Sequence, residues 1–185
     1  STSQHRALCK ASSFADNTRN EAEESIDGLR EMLESQAGLP GRKMLVHVSD
    51  GLPAVPAQDL FQAVQQHYAD QSALAEAMGY DLSQRYVHLI AEANSNRVSF
   101  YTIDAAGLRT QSGIGADTRA VNTPTGVNMA VDSIRTSNLQ DTLINMADRT
   151  GGQAIFNTND VSEGLQRATQ DFNNYYSLGY RAPVS

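Results

Sequence analysis

The run Met44-Leu-Val-His-Val48 constrains the fold more than any other stretch of the chain. Its five residues are mostly apolar and do not alternate, the pattern of a strand covered on both faces, as in parallel sheets. Helical stripes lie on either side of it. Ala22, Ile26, Leu29 and Leu33 recur at helical spacing, with Glu21, Glu23 and Glu24 in the first turns, so a helical segment over residues 1–38 is expected to end near Gly38. After the strand, Pro56 opens a second helix whose stripe of Leu60, Phe61, Val64, Tyr68, Leu74 and Met78 runs to Gly79.

The same alternation continues to the far end. Asp81 and Gln84 read as a capping box for a third helix with Tyr86, Leu89, Ile90 and Ala93 on its inner face. Val98-Ser-Phe-Tyr-Thr-Ile103 is β-branched and aromatic, a second strand, and it too runs into an acid, Asp104. Residues 105–124 are polar and long for a connection, a functional or a mobile loop. Asn138 is expected to cap a helix carrying Leu139, Leu143, Met146 and Ala147, which Gly151 and Gly152 stop. Ala154-Ile-Phe156 is a short strand, and Asp160 with Glu163 caps a last helix facing inward through Val161, Leu165, Ala168 and Phe172. Tyr176, Leu178 and Tyr180 alternate with smaller or exposed neighbours as a half-covered terminal strand over 173–185. Helices flanking a mainly parallel sheet follow from this order, and right-handed crossovers bring the carboxyl ends of the strands to one rim.

One domain over residues 1–185 is expected, with its sheet and helices between 39 and 172. The net charge of -7 repels phosphate backbones and no basic cluster offsets it, which argues against nucleic acid. No window has the ~20 apolar residues that cross a bilayer, so no membrane insertion is expected. A single cysteine, Cys9, excludes an internal disulfide. The chain begins at Ser1 without an initiator Met and without the pattern of a signal peptide, as a processed or truncated product would.

Ligands of open α/β sheets bind beyond the carboxyl ends of the strands, where Ser49, Asp50 and Gly51 fall. Gly51 lets the backbone turn away and leaves the Asp50 carboxylate and Ser49 hydroxyl at the rim. Asp104 and the Asn157/Asp160 pair reach the same rim, and such oxygen donors suit Mg²⁺, Mn²⁺ or Ca²⁺. Asp-Gly is equally a common turn pair, and an acid before a helix is a common cap. His5, His47, His67 and His88 have no paired-ligand spacing, and His47 reads as a satisfied core histidine. Neither a nucleophile elbow nor a phosphate loop is present.

Taken together, Leu39-Pro-Gly-Arg-Lys43, Val48-Ser-Asp-Gly51, Ser99 to Asp104 with Gly107-Leu108, Thr150-Gly-Gly152 and Tyr175 to Tyr180 resemble the C-terminal half of a von Willebrand factor type A domain. They are most similar to the bacterial von Willebrand A-related group known from acidobacteria. The resemblance implies a doubly wound, Rossmann-like α/β domain that binds proteins, often through a metal-ion-dependent adhesion site. It implies Asp50 in the metal shell, with weaker places for Ser49 and Asp104, and a partner-binding rim of Gly51, Asp104 and Gly107. The family's D-x-S-x-S loop has no counterpart: Asp81-Leu-Ser-Gln-Arg85 and Asp160-Val-Ser-Glu-Gly164 both miss the final serine. The first three strands of that fold are also absent.

A cation would then be completed by residues outside this chain, and the strand at 44–48 would lie at the edge of a three- or four-stranded remnant. Its expected partner is the missing N-terminal half or another subunit. The reading is therefore a non-enzymatic interaction module, extracellular or in the cell envelope by resemblance. Two alternatives are an assembly subunit whose degenerate site holds no metal, and a metal-dependent hydrolase using Asp50 and Asp104.

Overall fold

The computed structural model describes residues 2–106, 125–156 and 161–173, without the side chains of 125–130, 163, 172 and 173. Nine elements follow in order: α1 (Thr2–Ser35), β1 (Lys43–Ser49), α2 (Gln58–Tyr68), α3 (Gln71–Met78), α4 (Ser83–Ser95), β2 (Val98–Asp104), α5 (Thr125–Thr150), β3 (Ala154–Ile155) and α6 (Ser162–Asn173). The three strands form one parallel sheet in the order β1-β2-β3. This is an α/β fold, a small parallel sheet flanked by helices and compatible with a Rossmann-like class.

The register Leu45↔Phe100 and Ser49↔Asp104 defines the two faces. Side chains alternate along a strand, so Leu45, His47, Ser49, Val98, Phe100, Thr102 and Asp104 share one face. Onto it pack Ile26, Leu29 and Leu33 of α1, Tyr86, Leu89 and Ile90 of α4, and Leu143 and Met146 of α5. Met44, Val46, Val48, Ser99, Tyr101 and Ile103 share the other face. There the Tyr101 hydroxyl donates to Asp171 Oδ2 at 2.6 Å, and Gly164 lies against Ile155, so α6 covers β2 and β3. Desolvation and the Asp171 carboxylate together push the Tyr101 hydroxyl up to about 12.

Several expectations change. Within the expected N-terminal helical segment, Glu21, Glu23 and Glu24 are not the first turns: the helix begins at Thr2, where Ala11 and Ala15, too small to announce a stripe, pack against Ala57, Phe61 and Ala77. The single helix expected from Pro56 to Gly79 is two. Ala69 takes a left-handed conformation (φ 53°), and Asp70 caps α3 by accepting from the Ser72 N–H. In α3 the inward residues are Ala73 and Ala77, and Leu74 and Met78 are exposed. Asn138 caps nothing, since it lies in the middle of α5. Its amide instead holds the segment after β1: Oδ1 accepts from the Ala54 and Val55 N–H groups, and Nδ2 donates to the Val55 carbonyl. In α6, Val161 just before the helix and Leu165 within it are exposed, whereas Ala168 is buried.

Other readings stand where they were placed. Tyr86, Leu89, Ile90 and Ala93 of α4 are all buried, but the expected capping box is not formed as placed: Leu82 holds the cap position, and Asp81 Oδ1 accepts from the Ser83 N–H rather than pairing with Gln84. Gly151 (φ 69°) turns the chain left-handed at the end of α5. The Asn157/Asp160 pair, Gly107, the rest of the loop to residue 124, and the terminal strand from Tyr175 lie outside the described residues.

Candidate functional site

The rim at the end of β1 is built by a turn that only glycine fits. Gly51 has φ +126°, and a Cβ there would sit 2.5 Å from Leu139 Cβ of α5. The Gly51 N–H donates to Ser49 Oγ at 3.3 Å, and the Leu52 N–H donates to the Leu139 carbonyl at 3.3 Å. The chain therefore leaves the strand pinned to α5, with Asp50 exposed at the bend.

Beside this turn lies a groove of about 540 Å³ between α1 and β1, within the range of roughly 300–1,000 Å³ usual for ligand pockets. Phe14, Thr18 and Glu21 of α1 form one wall, His47, Ser49 and Asp50 the other, and Leu52 and Leu139 contribute apolar surface. His47 Nε2 is buried there and has no hydrogen-bond partner among the described residues. Desolvation holds the imidazole below its usual pKa of 6.5, so it is neutral at pH 7. The expected satisfied core histidine is thus an unsatisfied one, because the facing element, α1, stands off across the groove.

Asp104 follows a different course from Asp50. It is 3% exposed; Oδ1 accepts from the Ala106 N–H at 3.0 Å and Oδ2 from Gln140 Nε2 at 2.8 Å. Its carboxylate closes the end of β2, and it does not line the groove that Ser49, Asp50 and Gly51 line. Among the described residues, no three His, Cys, Asp or Glu side chains are placed to hold a metal ion. Ser49 and Asp50 offer one hydroxyl and one carboxylate, against the about six oxygens that a hard divalent cation takes.

The second structural feature is the outer edge of β1. The Lys43 N–H donates to the Arg97 carbonyl and the Ser49 carbonyl accepts from the Ala105 N–H, so odd-numbered residues turn their backbone groups toward β2. Met44, Val46 and Val48 then turn theirs outward, and no hydrogen bond meets them among the described residues. Val46 is 38% and Val48 59% exposed. Burial on both faces was the expectation for this strand; the covering helix α6 reaches β2 and β3 and leaves β1 open on that side.

The apolar residues at 46 and 48 gave no sign in the sequence that they would be exposed at an edge. The roles of Asn138 and Gln140 gave no sequence signal, since both depend on what α5 packs against. Compared with known proteins, the chain matches no family model, no curated protein and no solved structure. No helix among the described residues is long and apolar enough to cross a membrane.

Proposed function

We propose that this chain is a protein-interaction module of the von Willebrand A class, which takes a partner at the outer edge of β1 and at the adjoining rim of Ser49, Asp50 and Gly51. The observation that carries the reading is the row of outward backbone groups at Met44, Val46 and Val48 beside exposed valines. Soluble proteins blunt such edges with charge, proline or bulges, and between Met44 and Val48 there is none of these. An added strand supplies main-chain hydrogen bonds there, the recognition mode of strand addition.

In this reading the sheet is the remnant of a doubly wound one whose first strands come from outside the described residues. The bend at Asp50 then faces the place where further cation ligands would arrive. Asp104, engaged by Ala106 and Gln140, serves as a structural acid in this arrangement rather than as a ligand. A hydrolase using both carboxylates is disfavoured for the same reason: one of the two has both oxygens occupied.

Two measurements test the proposal. Amide exchange followed residue by residue in the dilute chain should be fast at Met44, Val46 and Val48 and slow at Leu45 and His47; uniform protection along β1 overturns the open edge. Melting with and without Mg²⁺ or Ca²⁺ separates the two forms of the module, since an ion that binds only the folded state raises Tm. A rise that Asp50→Asn removes supports the metal form, and no rise supports the metal-free assembly form.

A further inference from the structure

The groove between α1 and β1 carries a charge pattern that selects its occupant, and we propose that it binds a small organic cation, an ammonium group on an apolar body. The proposal does not depend on the open edge of β1: the groove lies on the face of the sheet that His47 and Ser49 share, and neither Val46 nor Val48 lines it. α1 supplies one wall. Phe14, Thr18, Glu21 and Ser25 follow one another at helical spacing, which sets them in a row along one side of the helix. At a rise of about 1.5 Å per residue, Phe14 and Glu21 stand roughly 10 Å apart along the axis, about the length of an arylalkylamine. Leu52, Leu60 and Leu139 add the apolar surface that small-molecule sites usually offer.

Charge decides the sign of the ligand. Three carboxylates, Glu21, Asp50 and Asp59, line the groove against one guanidinium, that of Arg135. Among the described residues, Glu21, Asp59 and Arg135 form no ion pair, so these charges are not cancelled within the fold. The other basic side chain of the lining, His47, is neutral in its buried position and adds no positive charge. An entering ammonium therefore meets an excess of acids, whereas a carboxylate meets its own sign. The net charge of -7 on the whole chain gives a field of the same sense, although it is screened beyond about 8 Å at physiological salt. Phe14, half exposed, adds an aromatic surface of the kind to which ammonium groups are also drawn. Asp59 has a local role as well, in the first turn of α2, where the helix dipole favours an acid. Glu21 has none: it lies in the middle of α1, and the residues three and four positions away, Asn17, Thr18, Glu24 and Ser25, include no base.

Titration of the isotope-labelled 185-residue chain with phenylpropylamine, followed by nuclear magnetic resonance, tests the proposal, with phenylpropionate and phenylpropanol as probes of the same shape and negative or no charge. The amine is expected to shift the Leu52 and Leu139 amides saturably and to bind more tightly than either of the other two. Glu21→Gln should raise the Kd of the amine about two- to fivefold, the range for one exposed charge pair, and Arg135→Gln should lower it by a similar factor. Both side chains are exposed, and circular dichroism checks that both variants fold. Opposite effects from the two substitutions are not expected of residues with a merely structural role. An amine that shifts nothing up to its solubility limit overturns the proposal, as does a propionate or propanol that binds as tightly, or an affinity that Glu21→Gln leaves unchanged.

Discussion

β1 and β2 are each seven residues long, lie side by side in register and run into acids at positions 50 and 104, yet every residue of β2 is buried and none of β1 is. Their amides differ in the same way. On the side away from β1, the Phe100 N–H donates to Thr150 Oγ1 at 2.8 Å and the Thr102 N–H to the Gln153 carbonyl at 3.0 Å, so β2 is satisfied even beyond the reach of the short β3. β1 has no such neighbours on its outer side among the described residues. Burial is thus a property of position in the sheet as much as of composition.

The largest effect expected is at the centre of that contrast. Phe100→Ala empties a fully buried site and should cost about 3–5 kcal/mol, whereas Val46→Ala on the neighbouring strand should cost under about 1 kcal/mol; urea unfolding of both variants measures the difference. Equal costs would mean that β1 is covered. Gly152→Ala comes next, because a Cβ there collides with the Phe100 carbonyl; overpacking of this kind costs about 1–3 kcal/mol, and the backbone partner puts it at the upper end.

Asn138→Ala should cost about 2 kcal/mol in the same assay, since it strips the Ala54 and Val55 backbone of partners and loosens the segment that follows β1. The smallest effect concerns pH. Burial holds the His47 pKa below 6.5, so as pH falls the unfolded chain takes up the proton first. This contribution leaves stability unchanged well above pH 6.5 and lowers it progressively as pH drops through that value. His47→Gln should flatten the acid side of a Tm profile, and an unchanged slope would show that the imidazole is solvated.

The pattern of apolar residues was enough to place the three strands and the buried face of α4, because those segments carry large side chains at unbroken periods. It failed where small residues or distant partners decide. Ala11, Ala15, Ala73 and Ala77 pack as tightly as leucines but leave no stripe, and the left-handed Ala69 breaks a helix that the apolar spacing carries through. Asn138 looked like a cap because its local preference is for caps, and only the fold brings Ala54 and Val55 to it. At the rim, Asp50 and Asp104 looked alike in sequence. The structure separates them: Asp104 is buried on Gln140 and Ala106, and Asp50 stands exposed beside a glycine that Leu139 leaves no room to replace.

The central claim, that the outer edge of β1 is open, is tested most directly by nuclear magnetic resonance amide exchange in dilute solution. The account predicts a period of two along β1, with Met44, Val46 and Val48 exchanging fast and Leu45 and His47 slowly. Slow exchange at all five positions in the most dilute sample would contradict it.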